Sequence, residues 1–259
     1  LRRYGLDRCN GRLTPLDPNS FPRRSPSDQL IDLERQKLHQ SIVGSVNFLA
    51  MVSRPDLSFP VSMLASYNAN PSEVHVGLAH QLLRYVRKTS DYGIEITNAT
   101  NSVQVTMYAD ASFNTDPDNA KSFSGYIMKV NGSTISWSSK RQSCVARSTC
   151  EAEYMAASRA ASHLVWARQA LGEMTGTGVK LTSNLLVDNE PAESLIKDNK
   201  ISDRLKHIDV HFHFVRERFV KGEYQVRHVA SKDNLADICT KALPRLTLEL
   251  LGRQIRLAS

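Results

Sequence analysis

The apolar positions of this 259-residue chain change their spacing near residue 100, and the change divides the sequence in two. Upstream the period is helical. Ile42, Val46, Leu49 and Ala50 share one face, and the pattern stops before Arg54-Pro55, because a proline pushes the residue ahead of it out of helical backbone. Residues 59–67 give a second short apolar stretch. Asn70-Pro71-Ser72-Glu73 opens a third helix, with Asn70 or Ser72 as its cap and Val76, Ala79, Leu82, Leu83 and Val86 inside. Ahead of these, residues 13–29 are rich in Pro, Ser, Asp and Arg. Such a stretch has too little apolar surface to order itself and reads as an extended linker.

Downstream the period drops to two. Val103, Val105 and Met107 alternate in a strand that runs into Tyr108-Ala109-Asp110. Residues 124–130 and 133–138 flank Asn131-Gly132, the pairing that a tight primed hairpin turn prefers. A long helix over 148–171 follows, then a buried strand over 185–188 and a helix with Pro191 near its start. A helix over 204–220, a strand over 224–228 and a last helix over 233–242 complete the pattern. Three strands, helix, strand, helices, strand, helix predict an α/β fold, a mixed sheet flanked by helices. The expected organisation is a linker at 1–30, a helical module at 31–100, the α/β domain at 103–244 and a tail at 245–259.

This order of elements gives three aspartates special positions. Asp110 ends the first strand, Asp188 ends the fourth, and Asp237 lies in the first turn of the last predicted helix. Carboxylates at strand ends converge on the sheet edge where ligands bind. Like charges gathered there need a cation, and oxygen-only donors favour Mg²⁺ or Mn²⁺ over zinc. A fourth carboxylate comes from Glu151 or Glu153, which lie about 200° apart on a helix. Counting by threes and fours from Glu153 gives Ala156, Ala157, Ala160, Ala161 and Leu164. The same count from Glu151 gives the more polar Tyr154, Met155, Ser158 and Ser162, so Glu153 is expected to face the sheet. Singly, each acid also fits a surface charge or a helix cap.

The same segment carries a family resemblance. Lys121-Ser122-Phe123-Ser124-Gly125-Tyr126 resembles the KSTSGY stretch of the ribonuclease H domain in copia-type LTR retrotransposon polyproteins, and residues 135–142 are similar to its ISWSSKKQ. Glu151-Ala152-Glu153-Tyr154 matches EAEY, and Val187-Asp188-Asn189 resembles CDN. Lys206-His207-Ile208-Asp209 matches KHID, and residues 236–241 resemble ADIFTK. Upstream, residues 4–17 resemble the end of the family's reverse transcriptase region, and residues 41–49, Arg54-Pro55-Asp56 and residues 83–86 resemble its connecting segment. Departures are Asp110-Ala111-Ser112-Phe113 for DADW, Thr149-Cys150 ahead of EAEY, and Leu205 for the threonine before KHID.

The resemblance implies a ribonuclease H-like five-stranded mixed sheet behind a helical connection module. It also implies a two-metal endonuclease that cuts the RNA strand of an RNA–DNA hybrid to leave a 3′-hydroxyl. Asp110, Glu153, Asp188 and Asp237 would hold two Mg²⁺ ions, with Mn²⁺ as a substitute. His228 at the end of the last strand would help product leave or carry a proton. The polymerase part of the same polyprotein would be the partner, in the cytoplasm within a virus-like particle or in the nucleus. No YxDD turn is present, so polymerisation by this chain alone is not expected. A nucleic-acid-binding segment without activity is the competing reading, and a resolvase-like nuclease on the same fold is a third.

Charge agrees with a polyanionic partner, since Lys and Arg exceed Asp and Glu by seven. Lys140, Arg141 and Arg147 lie between the hairpin and the long helix and are expected to meet phosphates, with Arg84, Arg87 and Lys88 extending the basic track. Ser148 and Thr149 stand where a 2′-hydroxyl is within reach. His207, His211 and His213 lack a further ligand at zinc spacing, and Lys206 and His207 are expected to pack or to meet phosphate. Trp137 and Trp166 are expected to pack. Cys9, Cys144, Cys150 and Cys239 show no CxxC spacing and read as reduced thiols. No apolar run reaches membrane length, and the first residues lack a signal-peptide core. A start at Leu1 reads as a piece of something longer.

Overall fold

The computed structural model describes residues 1–18, 31–97, 102–175, 181–198 and 210–258. Three helices come first: α1 (Leu33–Val52), α2 (Ser58–Ala65) and α3 (Glu73–Lys88). Asp32 caps α1 by accepting from the Arg35 amide at 2.8 Å. Ser72 and His75 cap α3 reciprocally, each satisfying a backbone donor that a helix start leaves free.

The remaining elements are β1 (Gly93–Ile94), β2 (Val103–Ser112), β3 (Phe123–Val130), β4 (Ser133–Arg141), α4 (Thr149–Thr175), β5 (Leu181–Val187), α5 (Glu190–Lys197), α6 (Phe214–Val220), β6 (Gln225–His228), α7 (Arg245–Gln254) and β7 (Leu257–Ala258). Five strands form one sheet in the order β4-β3-β2-β5-β6. The β4-β3-β2 part is antiparallel and β2-β5-β6 is parallel. This is the expected ribonuclease H-like mixed sheet. At the hairpin tip Asn131 and Gly132 have φ of 49° and 82°, the left-handed pair that a type I′ turn requires.

Successive side chains of a strand point to opposite faces, and here both faces are covered. Met107, Ala109, Tyr126 and Met128 pack with Leu185 and Val187 against the Ala157, Ala160, Ala161 and Leu164 row of α4. Phe123 and Ile127 point the other way, into a core shared with Ile42, Val46, Leu57, Phe59, Leu82 and Leu83 of the helical module. Thus the module is the second layer of the sheet rather than a separate body. Arg54 and Asp56 are buried in it and pair at 2.9 and 2.7 Å. The Tyr85 hydroxyl donates to Asp56 at 2.6 Å, and Arg54 donates to the Thr89 carbonyl at 2.7 Å. A buried pair survives desolvation only with such additional bonds.

Four differences from the sequence reading stand out. Residues 245–259, expected as a tail, contain α7 and β7. Leu248, Leu251, Ile255 and Leu257 join the module core, and β7 pairs antiparallel with β1. The helix expected over 233–242 is two 3-10 turns, Ser231–Asp233 and Leu235–Cys239. Of the helix expected over 204–220, the described part is a 3-10 turn (Val210–His213) followed by α6. Residues 19–29 of the expected linker lie outside the described residues, yet Leu16 is fully buried. Among the described residues no helix is long and apolar enough to cross a membrane. None of the four cysteines is in a disulfide.

Candidate metal centre

Strand register brings the first two acids together. Tyr108 pairs with Leu186 in the parallel β2–β5 ladder, so Asp110 near the end of β2 is level with Asp188 just beyond β5. Asp237 arrives from the Leu235–Cys239 turn. Its approach depends on Asn234, which is fully buried. The Asn234 amide nitrogen donates to the Ala109 carbonyl at 3.0 Å, while its oxygen accepts from the Ala236 amide at 3.2 Å. Carboxylate oxygens of Asp110, Asp188 and Asp237 lie within 4.8 Å of one another.

Gly125, opposite Asp110 in the β2–β3 ladder, makes room for that turn. A Cβ at this position would lie 2.6 Å from Thr240 Cγ2 and 2.8 Å from Cys239 Cβ. Gly125→Ala is therefore expected to cost about 1–3 kcal/mol, read by urea denaturation, by displacing the turn that carries Asp237. An alanine variant with wild-type stability would show that the turn has slack.

Glu153 and Glu151 part company at the start of α4. Glu153 is buried, and its Oε2 accepts from the Ala111 amide at 3.1 Å, one residue from Asp110. Glu151 Oε2 instead accepts from the Arg147 amide at 2.9 Å, while Ser148 Oγ accepts from the Glu151 amide at 3.2 Å. That is a capping arrangement, so Glu151 serves the helix end. The described three-aspartate cluster does not include Glu153, which stands beside it and feels its charge.

Burial sets the electrostatics. Desolvation raises the pKa of Asp110. Desolvation and then the Asp110 charge push Glu153 up to about 10 and Asp237 up to about 7. A cation already stands among them. Lys241 Nζ donates to Asp237 Oδ1 at 2.5 Å and to Asp110 Oδ1 at 3.3 Å, and the Thr240 hydroxyl donates to Asp110 Oδ2. Burial disfavours the Lys241 charge, but Asp110 and Asp237 outweigh it and the net shift is upward. Neither Thr240 nor Lys241 was singled out from sequence. The signal was there, since Asp237 and Lys241 have the i, i+4 spacing of an ion pair. An oxygen-only donor set of this density fits a hard divalent ion.

No family model matches the chain. Over 219 residues it is 36% identical to the retrovirus-related Pol polyprotein from transposon RE2 of Arabidopsis thaliana, covering 84% of this chain and 15% of that protein. The Pol polyprotein from transposon RE1 of the same plant is 34% identical over 262 residues, 98% of this chain and 18% of that protein. The chain belongs to the copia-type retrotransposon Pol polyproteins. It spans less than a fifth of the length of these two relatives. Among solved structures, RNase H1 from Halobacterium salinarum NRC-1 aligns with a TM-score of 0.36 and 16% identity, over 53% of this chain and 94% of that one.

The other expected site residues of this copia-type Pol segment lie around the acids without converging on them. His228 ends β6 level with Val187, is exposed, and has Nδ1 4.0 Å from Glu193 Oε2. Lys140 and Arg141 line a cleft of about 420 Å³ between the end of β4 and α4, with Gln142, Ser158, Arg159 and Phe212. Asp116 holds Arg141 at 2.6 Å. Arg147, Ser148 and Thr149 are exposed at the start of α4, where Ser148 is the helix cap.

Elsewhere two expectations change. Arg84 and Arg87 hold the N-terminal segment, donating to the Asn10 and Asp7 carbonyls at 2.7 Å each, so they do not extend a free basic track. Trp166 is 67% exposed rather than packed, whereas Trp137 does pack and donates to the Ala50 carbonyl at 2.6 Å. His213 bonds the Tyr154 hydroxyl at 3.0 Å. Lys206, His207, Ile208 and Asp209, together with the side chain of His211, lie outside the described residues.

Proposed function

We propose that this Pol segment is a divalent-metal-dependent endonuclease that hydrolyses the RNA strand of RNA–DNA hybrids. The observation that carries the reading is the meeting of buried Asp110 with half-buried Asp188 and Asp237 within 4.8 Å, with Glu153 alongside. Those four residues would hold two Mg²⁺ ions, or Mn²⁺ in their place. When bound, the ions would activate a water and steady the leaving oxygen of a phosphodiester.

The chain's own groups supply the rest. Thr240 and the Ala111 amide orient Asp110 and Glu153. Lys140, Arg141 and Arg147 would offer charge to backbone phosphates, with Arg141 held in place by Asp116. Ser148 and Thr149, exposed beside Glu153 on the same helix start, would meet the 2′-hydroxyl that marks the RNA strand. His228, exposed at the end of β6, would assist product departure or move a proton. The polymerase part of the same polyprotein would deliver the hybrid, inside a virus-like particle in the cytoplasm or in the nucleus. One observation favours the binding-only alternative: Lys241 stands where a metal ion would be drawn.

The test is direct. Incubated with a hybrid labelled on its RNA strand, the full chain is expected to make internal cuts with Mg²⁺ or Mn²⁺ and none in EDTA, and to leave duplex DNA intact. Retention of the hybrid without cutting, in both metals, would replace this reading with the binding-only one.

A further inference from the structure

We propose that Lys241 is a built-in counter-cation of the acidic centre that an incoming divalent ion must displace, so that this lysine sets the metal affinity of the segment. The inference rests on the reading of the four acids as metal ligands and concerns what guards them. Lys241 Nζ bridges Asp237 Oδ1 at 2.5 Å and Asp110 Oδ1 at 3.3 Å. The Thr240 hydroxyl takes the second oxygen of Asp110. Both oxygens of the deepest acid are therefore engaged by the chain's own donors, and one donor carries full charge.

An ammonium in that position serves the metal-free protein and opposes the loaded one. Without it, Asp110, Glu153, Asp188 and Asp237 face one another with no positive charge between them, which buried carboxylates tolerate poorly. With it, a doubly charged ion approaching the same oxygens meets repulsion at close range. The side chain has a way out, since 38% of it is exposed and its stem is long and flexible. Metal entry would break the bonds to Asp110 and Asp237 and release the ammonium into water. Loading thus becomes a threshold event rather than a filling of ready ligands.

Mn²⁺ titration by calorimetry, with melting curves in EDTA and in saturating Mn²⁺, separates the possibilities in the full chain. Lys241→Gln is expected to bind Mn²⁺ at least about tenfold more tightly than wild type, to melt lower in EDTA and to gain more from Mn²⁺. Lys241→Arg keeps a competing charge and is expected to stay close to wild type. Equal or weaker binding by Lys241→Gln overturns the proposal, as does tightening of the same size in Lys241→Arg. If Lys241→Gln is unfolded in EDTA, recovery in Mn²⁺ supports the counter-cation role and failure to recover refutes it. Saturable binding by wild type with no gain in Lys241→Gln sinks this inference alone, whereas absence of binding in both proteins sinks the metal-site reading with it.

Discussion

Asp110→Asn is expected to abolish hybrid cleavage, by on the order of a thousandfold, while raising the melting temperature of the metal-free protein. The two effects come from the same position. Asp110 is the most buried of the acids and stands level with Asp188 on the neighbouring strand. Its charge is useful to a divalent ion and unwelcome without one, since burial and the Asp188 charge both raise its pKa. The amide keeps the shape. Its oxygen can face Lys241, and its nitrogen can donate to Thr240 Oγ1, so the turn bearing Asp237 stays attached. Cleavage of labelled hybrid and thermal melting in EDTA, run on the same preparation, check the pair of outcomes. A variant that loses both activity and melting temperature would mean that Asp110 holds the fold together, and the assignment as a ligand would lose its support.

Removing metal should also invert the dependence of stability on pH. The folded-state pKa values of Asp237 and Glu153, up to about 7 and about 10, exceed the ordinary carboxylate values of 3.8 and 4.5. Between these limits the folded protein binds more protons than the unfolded chain, so raising pH favours unfolding. The stabilisation is fully present below about pH 4 and is lost as pH rises through about 7 and then toward about 10. In EDTA the melting temperature should therefore fall steadily from pH 5 to pH 9, by an amount worth on the order of a few kcal/mol. In saturating Mg²⁺ the acids are ionised in the folded state, the proton difference reverses, and the slope over the acidic half of that range should change sign. Parallel curves with and without Mg²⁺ would mean that these acids do not meet an ion.

Much of this site was readable from residue types because strand ends and turn chemistry are local. Asn131-Gly132 announces the hairpin, and Asp110 and Asp188 follow apolar strand residues, which fixes both at one edge of the sheet. The choice of Glu153 over Glu151 followed from the alanine face of the helix. The capping spacing of Ser148 and Glu151 was a second signal, one that assigns Glu151 to the helix end. What escaped was governed by distant contacts. The Leu235–Cys239 turn is 3-10 rather than α-helical, held by the Asn234 bond to Ala109 and the space at Gly125, and no local pattern encodes either. Lys241 reads as an ordinary basic residue until Asp110 is brought to it from 131 positions away. Residues 245–258 read as a tail by themselves because their short apolar run has a partner only in the module core that Leu248, Leu251 and Ile255 complete.

The pairing of β1 with β7 has a consequence for biosynthesis. Gly93 aligns with Ala258 and Ile94 with Leu257, while Lys129 and Thr134 bond the carbonyls of Gln254 and Ile255 at 2.7 and 3.0 Å. A nascent chain leaving the ribosome has every acid of the centre in hand by residue 237, yet the core that backs its sheet lacks Leu248, Leu251, Ile255 and Leu257 until residues 245–258 emerge. Contacts spanning so much sequence close slowly, and apolar surface left uncovered meanwhile is what chaperones and proteases recognise. A stop codon ahead of α7 would spare all four carboxylates and still deliver a product destined for degradation.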